Sequence, residues 1–115
     1  MTQPLYYDKV PFMKSSPSPS EDLYAAILSL KTLDEAKRFF RDLLTEEEIE
    51  ELSKRWEVAR MLDEKVSYTM IQDKTGLSST TVARISRWLR KGKGGYQLVL
   101  DRMHHTHPSR EKRPA

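Results

Sequence analysis

Apolar side chains recur at steps of three and four residues through most of this chain, and that spacing is the helical period. The recurrence is clearest in four segments, whose first apolar residues are Leu23, Ala36, Ile49 and Ile71. No alternation of apolar and polar residues, which would predict a strand, is sustained. The pattern therefore predicts an all-α protein of five or six helices.

Signals for helix starts stand in front of the first three segments. Ser20 has the hydroxyl that can cap a helix, and Thr32 with Glu35 and Thr45 with Glu48 have the spacing of a capping box. The last of these opens the longest predicted helix, whose length of about twenty residues, or about 30 Å, equals the expected width of the domain. We therefore expect a second subunit to cover part of this helix.

The 115 residues allow one domain. Proline and serine are concentrated at the start, which predicts a flexible arm over residues 1–19, a helical domain over 20–104 and a basic tail over 105–115. With no cysteine there is no disulfide and no thiolate zinc site. No apolar run reaches the roughly 20 residues of a membrane helix, and no secretion signal is recognisable, so we expect a cytoplasmic protein.

The charges are divided between the two ends of the chain. Residues 1–64 contain 9 Lys and Arg against 14 Asp and Glu, whereas residues 65–115 contain 11 against 3. The overall net charge of +3 therefore combines an acidic half with a basic one. Because phosphate attraction is long-ranged and needs no sequence code, a basic half favours a nucleic acid as partner.

The basic half contains the pattern of a helix-turn-helix. A short helix is predicted over Tyr68–Thr75, and Gly76 can end it because glycine readily takes the left-handed conformation. Ser78 or Ser79 can cap a second helix, which we expect to continue to Lys91. A short helix, a tight turn with glycine and a second helix form this motif.

The apolar positions that two steeply crossing helices require are all filled. They are Ile71, Thr75, Leu77, Val82, Ile85 and Leu89. One departure is Gln72, which stands where a small residue usually lets the helices touch. Trp56 follows the inner period and Trp88 flanks it, so we expect both to pack, although Trp88 can also reach a partner subunit.

The outward face of the second helix is small and polar at its start and cationic at its end. No carboxylate occurs from residue 74 to 93. Small hydroxyls allow a helix to enter the major groove, about 12 Å wide, and arginine reaches base acceptors or phosphates. For groove contact we predict Thr69, Gln72, Ser79, Thr80 and Ala83, and for phosphate or base contact Arg84, Arg87, Arg90 and Lys91. Thr81 is also predicted to bind DNA, and Ser86 is also placed outside.

These segments resemble a known family. The stretches 44–55, 66–76 and 81–84 resemble the Trp repressor, and residues 84–89 with 92–96 resemble the YerC/YecD group of Trp-repressor-like proteins more closely. The likeness spans about residues 22–104. It implies a Trp-repressor-like helical bundle of six helices, in an intertwined homodimer whose two helix-turn-helix units face successive major grooves of a palindromic operator.

The resemblance also implies a ligand pocket at Thr45, Arg55 and Arg84, where the repressor holds the indole of tryptophan. Ile85 stands where the repressor has a glycine that leaves room for the ligand. Overpacking by such a side chain typically costs about 1 to 3 kcal/mol. We therefore expect neither a tryptophan corepressor nor another cofactor.

Other signals favour no further chemistry. His104, His105 and His107 could suggest a metal site, but we expect a solvated tail there because no fourth ligand accompanies them. No nucleophile grouping or phosphate-binding glycine loop is present, so we expect no enzyme. The chain is predicted to be a sequence-specific DNA-binding transcriptional regulator that represses. The alternatives are a non-specific nucleic-acid binder and a protein-interaction module.

Overall fold

The computed structural model describes the backbone of residues 18–106 and side chains as far as residue 104. Within this range every regular element is helical, which confirms the all-α class. The six helices are α1 (Pro19–Leu28), α2 (Leu33–Leu43), α3 (Glu46–Asp63), α4 (Tyr68–Thr75), α5 (Ser79–Lys91) and α6 (Gly95–Thr106). Nearly all of the predicted arm and tail lies outside the described residues. The described part divides after Thr45 into two compact units.

Helix α1 begins earlier than the sequence predicted. The Ser18 hydroxyl accepts from the Glu21 amide at 3.2 Å, and the Glu21 carboxylate accepts from the Ser18 amide at 3.4 Å. Ser20 was therefore the wrong cap. Proline explains the difference, because the fixed φ and missing N–H of Pro19 suit the first helical position.

Among the described residues of the first unit, which contains α1 and α2, no side chain is fully buried. Thr32 caps α2 as predicted, accepting from the Glu35 amide at 3.1 Å. Neither helix contains a buried residue, and Tyr24 and Leu28 are 62% and 85% exposed. The apolar spacing of these helices thus predicts their conformation correctly, and within the described residues their apolar faces are only partly covered.

The second unit has a core built by three helices around α5. Helix α5 contacts α3, α4 and α6, and α3 also contacts α4. The buried cluster contains Val58, Ala59 and Met61 from α3, Ile71 from α4, and Val82 and Ile85 from α5. Leu100 of α6 is fully buried as well. This packing orients α5 within its unit.

The buried face of α3 differs from the predicted stripe. Steps of three and four from Ile49 predict Leu52 and Ala59 on the buried side of the helix. Leu52 is instead 47% exposed, and the additional buried residues are Val58 and Met61. All buried residues of this 18-residue helix lie in its C-terminal half. Its N-terminal half therefore has no fully buried side chain among the described residues.

Helix α3 ends in a left-handed residue that is not glycine. Lys65 has φ 67°, and the amide of Val66 donates to the carbonyl of Met61 at 3.0 Å. This is the arrangement in which glycine usually occupies the left-handed position. Lys65 is therefore held in a conformation that L residues rarely adopt.

His104 ties α6 back to the end of α3. Its Nε2 lies 2.9 Å from Oδ2 of Asp63, and the two side chains are 24% and 15% exposed. The expectation that His104 belongs to a solvated tail is therefore wrong. The pair brings together two residues 41 positions apart, which spacing along the sequence does not reveal.

Candidate nucleic-acid interface

The turn between α4 and α5 is fixed by local hydrogen bonds. Ser67 caps α4 by accepting from the Met70 amide at 3.2 Å, and Gly76 ends the helix with φ 75°. The Thr75 hydroxyl donates to the Ile71 carbonyl at 2.7 Å and accepts from the Leu77 amide at 3.2 Å. The predicted bounds of α4 are confirmed.

Helix α5 starts at Ser79 because the preceding serine caps it. The Ser78 hydroxyl accepts from the Thr81 amide at 3.2 Å and lies 3.0 Å from the Thr81 hydroxyl. The helix runs to Lys91, and Gly92 follows it, as the sequence predicts. Of the two serines proposed as the cap, the first is correct.

The inner positions of α4 and α5 pack as predicted. Ile71 and Val82 have no exposed surface, and Ile85 is 4% exposed. Leu77 and Leu89 are half-buried. Since these side chains hold one side of α5 against α3 and α4, the opposite side of the helix is directed away from the core.

Most of the residues predicted to contact DNA lie on the exposed surface. Thr81 and Gln72 are half-buried, and Thr81 is already bonded to Ser78. The exposed candidates are Thr69, Ser79, Thr80, Ala83, Arg84, Arg87, Arg90 and Lys91. We call the α5 members of this exposed set the outer face.

Two residues of α5 lie differently from the expectation. Ser86, placed outside by the sequence, is only 7% exposed, and Trp88, expected to pack, is 55% exposed. Each stands at an edge of the buried stripe, where the helical period alone does not decide which side a neighbouring element covers. The ring of Trp56 stacks on Tyr96 of α6 with centroids 6.3 Å apart, so that tryptophan does pack.

The outer face is cationic and has no internal counter-charge. Among the described residues, none of its four cations, Arg84, Arg87, Arg90 and Lys91, takes part in an ion pair or a hydrogen bond. Along the chain, the carboxylates that flank it are Asp73 of α4 and Asp101 of α6. Unpaired guanidinium groups on an exposed helix can make bidentate contacts to phosphate or to the acceptor edge of guanine.

The residues implied as a ligand pocket are divided between the two units. Thr45 ends the first unit, while Arg55 of α3 and Arg84 of α5 belong to the second. The Arg55 guanidinium bonds to the Glu51 carboxylate at 2.7 Å. Ile85 belongs to the core cluster, so its side chain has a packing role in this fold.

Comparison with known proteins agrees with this architecture. The family model described as Trp repressor protein matches residues 20–104. The chain belongs to the Trp repressor protein family. YerC of Bacillus subtilis is 46% identical over 86 residues, which cover 75% of this chain and 83% of YerC. The resemblance to the YerC group is therefore confirmed.

Two solved structures show the same fold as this Trp repressor family member. A TrpR-like protein from Eubacterium eligens is 48% identical, with a TM-score of 0.72 over 78% of this chain and 93% of that one. A candidate Trp repressor from Staphylococcus aureus is 38% identical, with a TM-score of 0.72 over 76% of this chain and 88% of that one. The expected Trp-repressor-like bundle is thus confirmed.

The described part of this family member contains neither of two other kinds of site. No described helix is both long and apolar enough to span a membrane. Within the same residues, no group of three or more histidine, cysteine or acidic side chains could hold a metal ion.

Proposed function

We propose that this protein is a homodimeric, sequence-specific DNA-binding transcriptional regulator, acting as a repressor, that inserts α5 into the major groove. The observation that carries the proposal is the outer face of α5, which is exposed, cationic and without a carboxylate. Membership of the Trp repressor protein family supports the same assignment.

The two ends of α5 have different tasks in this proposal. At the N-terminal end, Ser79, Thr80 and Ala83 are small enough to allow close approach to base edges. Toward the C-terminal end, Arg84 and Arg87 reach outward to bases or flanking phosphates. Sequence preference then comes from the first end and most of the electrostatic affinity from the second.

Selection of bound duplexes from a random pool tests the assignment directly. A regulator should enrich one sequence and prefer it over random duplex by about 10³-fold or more. Arg87→Ala should weaken binding to every duplex and lower the salt slope by about one if Arg87 contacts a phosphate. Thr80→Ala should change which sequence is preferred, and Lys37→Ala, in the first unit, should leave both properties unaltered.

Two outcomes would overturn sequence-specific regulation. Equal affinity for selected and random duplexes would make the protein a non-specific nucleic-acid binder. No salt-dependent binding of any duplex would leave a protein-interaction module that uses the same surface. If neither Arg87→Ala nor Thr80→Ala alters DNA affinity at low salt, the outer face of α5 is misassigned.

Exposed apolar surface supports the homodimer in this proposal. No residue of α1 or α2 is buried, and Leu52 in the N-terminal half of α3 is 47% exposed. On α5 and α6, Trp88 and Leu98 are 55% and 50% exposed. Exposed apolar faces of this extent favour association, and closed pairing of two identical chains is the commonest form of association.

Sedimentation equilibrium measures the mass of the protein in solution and so tests the dimer directly. We expect twice the 13.5 kDa of one chain. Leu28→Glu places a charge on an exposed apolar position of α1 and should shift the protein toward the monomer, whereas Lys37→Glu on α2 should not. A mass of one chain at every concentration would refute the dimer while leaving the DNA assignment to its own test.

A further inference from the structure

A cavity in the second unit is built from positions that the DNA assignment leaves largely unused. It measures about 470 Å³ and lies where the end of α3, the C-terminal half of α5 and the start of α6 meet. Its wall includes Lys65 just after α3, Ser86 of α5 and Gly94 just before α6. Its volume falls within the range of about 300–1,000 Å³ typical of small-molecule sites.

Ser86 gives the cavity a hydroxyl that no protein group engages. The residue is 7% exposed and lines the cavity. Among the described residues the Ser86 hydroxyl has no hydrogen-bond partner. The Ser86 oxygen itself is not sealed off from solvent, so it can bond to water or to a bound molecule. The Ser86 hydroxyl is therefore available to an occupant of the cavity.

The charges on the wall favour an anion as that occupant. Lys65 and Arg90 line the cavity, and neither has an ion pair among the described residues. The one acidic side chain on the wall, Asp63, is already engaged by His104 at 2.9 Å. Two free cations and a spare hydroxyl thus surround the space.

The start of α6 adds backbone donors on the same wall. Gly94 directly precedes the helix and accepts from the Leu98 amide at 2.9 Å, and Gln97 lies in the first turn. Both residues line the cavity. The first amides of a helix have no partner within it, and they carry the positive end of the helix dipole. These amides attract phosphate in many proteins.

We infer that this cavity binds a phosphate group, held by Lys65, Arg90, the Ser86 hydroxyl and Gln97 in the first turn of α6. A phosphate offers more acceptor oxygens than a carboxylate and so matches the larger number of donors. The group can belong to a phosphorylated small molecule or to the DNA backbone, since both present the same oxygens. The assignment stands without the proposed DNA binding, because Lys65, Ser86, Arg90 and Gln97 all line this cavity.

Nuclear magnetic resonance of the full chain provides the test. Sodium phosphate is titrated against sodium chloride at equal ionic strength while the amide resonances of Gly94, Gly95 and Ser86 are followed. Saturable shifts with phosphate alone are expected. Lys65→Met should weaken phosphate binding by about tenfold and Ser86→Ala by about fivefold. Lys37→Met, which removes the same charge in the first unit, should leave the affinity unchanged.

A second titration with a DNA duplex identifies the source of the phosphate. If the DNA backbone occupies the cavity, the duplex shifts the same resonances and inorganic phosphate competes with it. If a phosphorylated small molecule is the occupant, phosphate shifts these resonances and the duplex does not. Equal effects of phosphate and chloride would overturn the site, as would unchanged phosphate affinity in a folded Lys65→Met variant. Either result would leave the DNA assignment intact.

Discussion

Replacing Lys65 by glycine should stabilise the fold. Lys65 has φ 67°, in the left-handed region, and a non-glycine residue there costs about 1–3 kcal/mol. Glycine removes this cost but adds about 0.4–1 kcal/mol of chain entropy to the unfolded state. The net expectation for Lys65→Gly is a gain of about 1 kcal/mol, or about 4–8 °C in Tm for a domain of this size.

Thermal unfolding followed by far-ultraviolet circular dichroism measures the effect, and Lys65→Ala is the matched control. Alanine removes the same charge but keeps the Cβ that makes the left-handed conformation unfavourable. Its Tm should therefore stay near that of the parent protein while the glycine variant rises. If the two variants melt at the same temperature, left-handed strain is not the cause and the reasoning from φ is wrong.

Three further results are expected from the same structure. Gly92→Ala should destabilise the fold by about 1–3 kcal/mol, because the added Cβ would press on the Trp88 carbonyl oxygen. Gly95→Ala places its Cβ in open space, so its Tm in thermal unfolding should stay near that of the parent protein. Ile71→Ala, at a fully buried position, should cost about 2–5 kcal/mol in denaturant unfolding. Added tryptophan should leave DNA affinity unchanged in fluorescence anisotropy because Ile85 fills the core; a tenfold gain would refute that reading.

Helix boundaries could be predicted from the sequence because local chemistry sets them. Ser67, Gly76 and Ser78 mark the ends of α4 and α5 through bonds to residues no more than four positions away. The wrong cap predicted for α1 also has a local cause, because Pro19 takes the first helical position and Ser18 therefore caps the helix. Where hydrogen bonds close within one turn, a single sequence contains the information needed.

Burial on α3 could not be predicted in the same way. Its spacing is compatible with more than one face, and α4 and α5 settle which side is covered. Val58 and Met61 are buried by that packing, while Leu52 is left exposed. The helical period identifies that a helix has an apolar side, but only its neighbours fix the boundaries of that side.

The two candidate sites also differ in how far the sequence could predict them. The outer face of α5 is one helix surface, so removing the inner positions from the sequence was enough to find Arg84 and Arg87. The phosphate cavity combines Lys65, Ser86 and Gly94 from three segments separated by up to 29 positions. No spacing rule connects these residues. The sequence contains only a weak signal for this cavity. It consists of a lysine at the helix end where glycine is usual and of a serine at the edge of the core.

Arg90 stands where the two proposed surfaces of α5 meet. At 3.6 residues per turn it lies roughly 40° around the helix axis from Ser86, whereas Arg87 lies roughly 100° from it. Arg87 is therefore near the middle of the outer face, and Arg90 is at its edge beside the cavity. If both proposals hold, a duplex and a free phosphate compete for Arg90 but not for Arg87. Phosphate should then weaken DNA binding by the parent protein more than sodium chloride does at the same ionic strength. This additional weakening should be smaller in an Arg90→Ala variant.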